Sequence, residues 1–152
     1  MENLARFIQE HPFFVGMNDT YIQTLTGCAK NVRFAEGQFI FKEGENADLF
    51  YCIRAGQVAL EIHAPQAGAI RIDTRKTGDV LGWSWIVAPY HWSCDARAIE
   101  EVRALAFDGA CLRRKCESNE NFGYEMYKRF VPLMHRTLQA TRLQLIDVYG
   151  TN

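Results

Sequence analysis

Apolar and polar positions follow a helical period at both ends of the chain and alternate in its middle. Residues 1–30 and 109–149 carry the helical period, whereas residues 31–108 alternate in short runs that glycines interrupt. Short alternating runs at regular spacing are typical of a barrel-like sandwich or β-roll, in which glycine supplies the turn conformations. The pattern therefore predicts one domain, mainly β, with helices on either side of the roll.

The first helical region contains a start signal for a helix. Asn18 and Asp19 are placed to cap a helix that runs through Ile22 and Leu25. We expect this helix to lie just before the first strand of the roll.

The last helical region carries an apolar seam with heptad spacing. Its members are Tyr127, Val131, Met134, Leu138, Thr141, Leu145 and Val148. A seam that alternates steps of four and three over three heptads is typical of a helix that pairs with another helix. A second apolar strip consists of Met126, Phe130, Leu133 and Ala140. We expect this strip to face the β-region and the seam to face a second copy of the chain, forming a homodimer. The alternative is an amphipathic helix that packs only on its own domain.

Pro132 lies within this helical region. Because proline lacks an amide hydrogen, the helix is expected either to kink there or to begin its regular part there.

Composition narrows the class of protein. The 152 residues are 48% hydrophobic and carry a net charge of −1, which argues against a dedicated nucleic-acid binder. No apolar run approaches the ~20 residues of a membrane helix, and the first residues contain no signal-peptide pattern. The five cysteines include no C-x-x-C pair and are expected to be reduced thiols in a cytoplasmic protein, with no metal site.

One stretch departs from the alternation. Residues 77–98, TGDVLGWSWIVAPYHWSCDARA, contain all three tryptophans of the chain among Gly78, Gly82 and Pro89. Because a regular core strand does not tolerate these glycines and this proline, the cluster is expected in a loop. A loop that gathers large aromatic side chains is a candidate binding site.

The run FAEGQFIFKEGENADLFYCIRAGQVA, residues 34–59, resembles the cyclic nucleotide-binding domain of the cyclic AMP receptor protein and its relatives. The likeness continues at Gly78, Asp79 and Gly82 and extends over about residues 13–149. It implies an eight-stranded antiparallel, jelly-roll-like β-roll with flanking helices and a long C-terminal dimerisation helix. It also implies a sensor or regulatory domain that binds a cyclic nucleotide, cyclic AMP in particular, and is not an enzyme.

The resemblance also implies a set of ligand-binding residues in and near the tryptophan-rich stretch. These are Val80, Leu81, Gly82, Trp83, Ser84, Trp85, Trp92, Ser93, Cys94, Thr141 and Arg142. A short turn of helix after Gly82 is expected to direct backbone amides at the cyclic phosphate. Thr141 follows Leu138-Gln139-Ala140 and matches a threonine that contacts adenine in the family, although a polar residue on a seam also sets helix register.

Two polar anchors of the family are replaced here. Trp83 stands where a glutamate takes the ribose hydroxyl, and Trp92 stands where an arginine pairs with the phosphate. Strand alternation places Arg97 on the solvent face, so Arg142 is the expected alternative source of positive charge. Three interpretations stay open: a pocket filled by tryptophans in a protein-interaction module, a pocket retuned to stack on a flat ligand, and weak cyclic AMP binding through the backbone amides.

Other chemistries have less support in the sequence. Haem binding, as in a gas or redox sensor, would use His63, His91, His135 or a cysteine. Residues 91–95 contain a histidine, a serine, a cysteine and an aspartate, but adjacency in sequence rarely gives the geometry of a catalytic triad. No helix-turn-helix pattern follows the long helix before Asn152, so direct DNA contact is not expected.

Overall fold

The computed structural model describes residues 3–149, apart from the side chain of Val148. Helices flank a roll of antiparallel strands, as the sequence pattern predicts. The helices are α1 (Leu4–Glu10), α2 (Asp19–Thr26), α3 (Gly109–Ser118) and α4 (Glu120–Tyr149), with single turns of 3₁₀ helix at Pro12–Phe14 and Ser84–Ile86. The strands are β1 (Ala29–Phe34), β2 (Phe39–Phe41), β3 (Leu49–Ala55), β4 (Gln57–Ala64), β5 (Gly68–Lys76), β6 (Val80–Leu81), β7 (Asp95–Ala98) and β8 (Val102–Asp108).

The eight described strands form two four-stranded sheets. One sheet has the order β1-β8-β3-β6 and the other has the order β2-β7-β4-β5. Every pairing is antiparallel. This arrangement confirms the expected eight-stranded β-roll.

Local capping explains where the helices begin. The Asn18 side chain accepts a hydrogen bond from the Tyr21 amide, which confirms the predicted start of α2. Asp108 accepts from the Cys111 amide at the start of α3, and Asn119 accepts from the Phe122 amide at the start of α4. Each cap satisfies one amide that has no partner within its helix.

α4 is a single helix of 30 residues that runs through Pro132. The expectation that its regular part begins at Pro132 is therefore wrong, because the helix starts at Glu120. Pro132 is exposed, so the break in the helical hydrogen bonds lies on the solvent side. In the part of the chain that the structure describes, no helix combines the length and the apolar character needed to cross a membrane.

An aromatic cluster joins the helices to the first sheet. Phe50 of β3 stacks on Phe107 of β8 at 4.6 Å between ring centroids, and Phe130 of α4 meets Phe50 edge-on at 5.0 Å. Phe13 meets Phe130 edge-on at 4.9 Å. Edge-to-face and offset contacts of this kind add to the free energy of burial. The cluster fixes the first half of α4 against the roll and so determines where its second half passes.

Candidate ligand-binding site

A cavity of about 230 Å³ lies between the second sheet, the tryptophan-rich loop and α4. Its lining consists of Phe41, Leu60, Ile62, Ile72, Arg75, Val80, Gly82, Trp83, Ser84, Trp92, Ser93, Cys94, Leu133, Thr137 and Thr141. Most of the wall is apolar, as in small-molecule sites that use a few polar groups for orientation. α4 closes one side of the cavity, so the helix and the cavity share a surface.

Trp92 fills the space directly over Gly82. Its indole stacks on Phe41 with 3.7 Å between ring centroids and 9° between ring planes, and Trp92 is only 6% exposed. Gly82 has a φ of +94°, and a Cβ at this position would lie 2.5 Å from Cη2 of Trp92. The Trp92 amide donates to the Glu45 carbonyl at 2.9 Å, and the Trp92 carbonyl accepts from the Gly44 amide at 2.8 Å. Glycine is therefore required at position 82, because the indole ring and the backbone are in close contact.

Trp83 lies at the opposite wall and connects the loop to α4. Its indole nitrogen donates to Oγ1 of Thr137 at 3.2 Å, and that hydroxyl donates to the Leu133 carbonyl at 3.0 Å. Trp83 is half-buried, so it borders the cavity rather than filling it. The loop and the helix are thereby joined at one hydroxyl group.

The middle of the loop is held by Arg113 of α3. Its guanidinium donates to the carbonyls of Trp85 at 2.7 Å and Ala47 at 3.2 Å. It also lies over the ring of Tyr90, 4.2 Å from the centroid. The tryptophan-rich loop is thus attached to α4 at Trp83 and to α3 at Trp85 and Tyr90.

Arg75 places a positive charge in the cavity wall. The residue is 2% exposed, and its guanidinium donates to the Asp73 carboxylate and, at 3.4 Å, to Oγ1 of Thr137. Burial alone would raise the pKa of Asp73, but the hydrogen bonds from Arg75 and from the Thr74 amide outweigh it and hold the pKa below its usual value. Asp73 is therefore ionised at neutral pH.

Sequence reasoning missed Arg75 because a β-bulge changes the face on which it lies. In the β4–β5 pairing Leu60 is opposite Asp73, yet the next residue, Glu61, is opposite Arg71. Ile72 is the extra residue, and alternation shifts by one position beyond it. Strict alternation from Ile72 places Arg75 on the outer face. No glycine or proline in this part of β5 signals the bulge.

A model of the cyclic nucleotide-binding domain family matches residues 31–119, more than half of the chain. The chain belongs to the cyclic nucleotide-binding domain family. A structure of a protein of the cyclic nucleotide-binding type from Geobacter metallireducens is 25% identical, with a TM-score of 0.80, over 91% of this chain and 99% of that one. The sensor domain of the transcriptional regulator DNR from Pseudomonas aeruginosa shares the fold with a TM-score of 0.70 at 16% identity, over 88% and 90% of the two chains.

Cyclic nucleotide-gated ion channel 18 of Arabidopsis thaliana is 25% identical over 130 residues. The match takes in 73% of this chain but only 18% of the channel. The chain thus spans about a fifth of the length of this relative.

Eight of the predicted ligand-binding residues of this cyclic nucleotide-binding domain line the cavity. They are Val80, Gly82, Trp83, Ser84, Trp92, Ser93, Cys94 and Thr141. The other three, Leu81, Trp85 and Arg142, lie outside its lining. Arg142 is exposed, and Leu81 is buried next to the lining residue Val80 on a strand whose side chains alternate.

Trp85 belongs to the aromatic cluster instead of the cavity. Its ring stacks on Phe50 at 4.8 Å and meets Phe130 edge-on at 5.2 Å. The helical turn at Ser84–Ile86 rotates successive side chains to different sides, so Ser84 faces the cavity while Trp85 enters the core. The three tryptophans therefore have three roles: Trp83 borders the cavity, Trp92 fills part of it, and Trp85 packs in the core.

Arg97 lies outside the cavity, as alternation predicts. Its guanidinium makes two hydrogen bonds of 3.0 Å to the carboxylate of Glu61 on the neighbouring strand. The hydrogen bonds from Arg97 hold the pKa of Glu61 below its usual value, although burial acts in the opposite direction. This ion pair joins neighbouring strands of the sheet. Among the described residues, Arg75 is the arginine that lines the cavity.

The histidines proposed for haem binding lie away from the cavity. His63, His91 and His135 are exposed, and none belongs to the cavity lining. Cys94 does line the cavity, but its pKa is raised to about 11, chiefly by burial, so its thiol is protonated at neutral pH. Within residues 3–149 no group of three histidine, cysteine or acidic side chains converges as a metal site. The geometry therefore does not favour the haem interpretation.

Proposed function

We propose that this cyclic nucleotide-binding domain is a homodimeric, non-enzymatic sensor that binds a small flat ligand and responds through α4. The observation that carries the proposal is the open cavity of about 230 Å³ between Trp83, Trp92 and α4. A protein-interaction module with a filled pocket requires both tryptophans to occupy the roll. Trp92 does fill part of it, but Trp83 remains at the wall and leaves space beside it.

The volume of the cavity favours a ligand smaller than the usual occupants of protein pockets. Pockets for drug-sized ligands are roughly 300–1,000 Å³, and this cavity is below that range. The indole over Gly82 also takes up the space that the family resemblance assigns to the cyclic phosphate. Cyclic AMP is therefore expected to bind weakly, because Trp92 must move to admit it.

The exposed seam of α4 supports dimerisation with a second copy of the chain. Of its members, Tyr127 is 47% exposed, Val131 53%, Leu138 66% and Leu145 57%. The second apolar strip faces the domain instead, since Met126 and Phe130 are fully buried. Thus the strip is covered within the chain, whereas four of the seam residues leave apolar surface exposed. Heptad spacing makes the uncovered face complementary to itself about a two-fold axis, which favours a second copy as its partner. The side chain of Val148, the last predicted member of the seam, lies outside the described residues.

Dimerisation is tested by comparing two leucines on the same helix. Leu138 is on the seam, whereas Leu143 is equally exposed, at 62%, but lies about 140° around the helix from it. In sedimentation velocity, Leu138→Asp should be monomeric, because each dimer would bury two carboxylates at an apolar contact. Leu143→Asp should remain dimeric. A wild-type monomer, or a dimer that survives Leu138→Asp, would contradict this part of the proposal.

Ligand binding is tested by native mass spectrometry of the purified protein, with and without excess cyclic AMP. Mass carried from the cell, or uptake of cyclic AMP, would support a sensor with an accessible cavity. A dimer that carries no extra mass and takes up none would favour the protein-interaction module, and co-purification with partners of α4 would become the next experiment.

A further inference from the structure

We propose that Arg75 anchors the carboxylate of a small aromatic acid in the cavity. We propose further that Asp73 then takes Arg136 of α4 as its main ion-pair partner in place of Arg75. This inference rests on the proposed sensor function and specifies its ligand class. The residues involved are a buried arginine, its shared carboxylate partner and a second arginine on the helix that closes the cavity.

The cavity combines aromatic walls with one buried guanidinium. The rings of Phe41, Trp83 and Trp92 line it together with aliphatic side chains. A flat aromatic group fits such walls because ring faces and edges attract one another. Among the described contacts, the Arg75 guanidinium donates to Asp73 and to Thr137 only, so some of its five N–H donors remain for a ligand. These walls and this charge together match a ring that carries a single anionic group.

A planar carboxylate suits this site better than a cyclic phosphate. The guanidinium is a rigid fork that binds a carboxylate through two parallel hydrogen bonds. Arg75 projects from β5, whereas Trp92 occupies the space over Gly82 where the family resemblance locates a phosphate. A volume of about 230 Å³ suits one or two rings. The positive charge in this cavity therefore comes from the sheet and not from the loop, and it suits a carboxylate instead of a cyclic phosphate.

The charges around Arg75 allow an anion to enter without leaving a carboxylate unpaired. Asp73 already accepts from Nε of Arg136 at 3.2 Å, and Arg136 also lies 3.6 Å from the Asp79 carboxylate. When a ligand carboxylate pairs with Arg75, Asp73 retains Arg136 as its partner. A partly buried carboxylate left without a partner would oppose binding, and Arg136 prevents that loss.

The change of ion-pair partner at Asp73 also affects α4. Arg136 donates to the Thr74 carbonyl at 3.1 Å as well as to Asp73, so it already attaches the helix to β5. Once Asp73 no longer shares its charge with Arg75, its attraction to Arg136 increases. Ligand binding should therefore hold α4 more tightly against the sheet.

The experiment uses naphthalene carboxylate and its neutral carboxamide as probes, titrated into the full chain by calorimetry. The two probes have nearly the same shape and differ in charge. The carboxylate should bind at least about 10-fold more tightly than the amide. Arg75→Met should weaken carboxylate binding by about 10- to 100-fold, the range for losing charge-assisted hydrogen bonds, and should weaken amide binding much less. Arg71→Met, an exposed arginine on the same strand, is the matched control and should bind as the wild type does.

Equal affinity for the two probes, or unchanged carboxylate binding in Arg75→Met, would overturn the inference. If Arg75→Met does not fold, Arg75→Lys retains the charge without the fork and should bind the carboxylate more weakly than the wild type. A cyclic AMP titration separates the two proposals. Binding of cyclic AMP without binding of the naphthalene acid would reject the aromatic-acid inference alone. Binding of neither probe nor cyclic AMP, with no mass carried from the cell, would count against the sensor itself.

Discussion

Replacing Gly82 with alanine should destabilise the domain by much more than the same change at another glycine of similar backbone conformation. Gly44 has a φ of +89° and open space where a Cβ would lie, so it is the matched control. Gly82 has a φ of +94°, but its Cβ would meet Cη2 of Trp92 at 2.5 Å and Cζ3 at 2.6 Å. The pair therefore separates the cost of the backbone conformation from the cost of crowding the indole.

The magnitude follows from these two contributions. A left-handed conformation costs a residue with a Cβ about 1–2 kcal/mol, and the reduced freedom of the unfolded chain returns about 0.4–1 kcal/mol. Gly44→Ala should therefore lower the free energy of unfolding by about 1 kcal/mol. Crowding a packed ring adds about 1–3 kcal/mol, so Gly82→Ala should lose about 2–4 kcal/mol. At ~2–4 °C per kcal/mol for a chain of this size, its Tm should fall by roughly 5–15 °C.

Urea unfolding measures these differences at a fixed protein concentration, because the apparent stability of the proposed dimer would depend on concentration. Trp92→Leu, made alone and together with Gly82→Ala, completes a double-mutant cycle. Removing the indole should restore about 1–3 kcal/mol of the loss caused by alanine at position 82. Equal losses for the two glycine variants, or additive losses in the cycle, would show that Trp92 does not lie over Gly82 and would refute the filled phosphate position.

Three further predictions address other parts of the domain. Arg97→Met should reduce stability by about 1 kcal/mol at neutral pH. Arg97 lowers the pKa of Glu61, so the ion pair stabilises the fold fully above the usual pKa of 4.5. This stabilisation is lost as the pH falls through the lowered pKa. The free energies of unfolding of variant and wild type, measured in urea, should therefore converge in acid. Trp92→Arg should strengthen cyclic AMP binding in calorimetry by returning a cation to the family's phosphate position, and no gain would mean that the cavity stays closed to the nucleotide. The Sγ atoms of Cys28 and Cys111 lie 3.2 Å apart, so the oxidant diamide should join them in a disulfide with the loss of two hydrogens. Mass spectrometry of peptides should detect this disulfide in the wild type and not in Cys111→Ser.

The roll and its helices could be predicted because their patterns are local. Alternation and glycine punctuation identify the strands, and a capping residue such as Asn18 identifies a helix start before any tertiary contact is known. Pro132 was harder to interpret, since its effect depends on which side of the helix it faces. It lies on the exposed side of α4, where the missing hydrogen bond does not interrupt packing.

The cavity was only partly predictable because its composition depends on geometry that the sequence does not display. The family resemblance located eight of its residues, but it also included Trp85, which a single turn of 3₁₀ helix directs into the core. Arg75 was missed for the opposite reason, since a bulge at Ile72 brings an apparently outward residue inside. One-residue shifts of this kind reverse the face of a side chain and leave no mark in composition or spacing.

The same hydroxyl group on α4 links the cavity to the exposed seam. Oγ1 of Thr137 accepts from both Trp83 and Arg75, and it lies one residue from Leu138, which is on the seam. In the proposed homodimer, a ligand that displaces either contact would therefore alter the position or the freedom of the helix segment that carries the seam. Coupling of this kind is reciprocal, so in the proposed dimer ligand binding and dimerisation would change each other's equilibrium constant by the same factor. The proposed sensor would thus transmit ligand binding even with tryptophans at both polar anchor positions of its family, because transmission would depend on the wall that α4 forms.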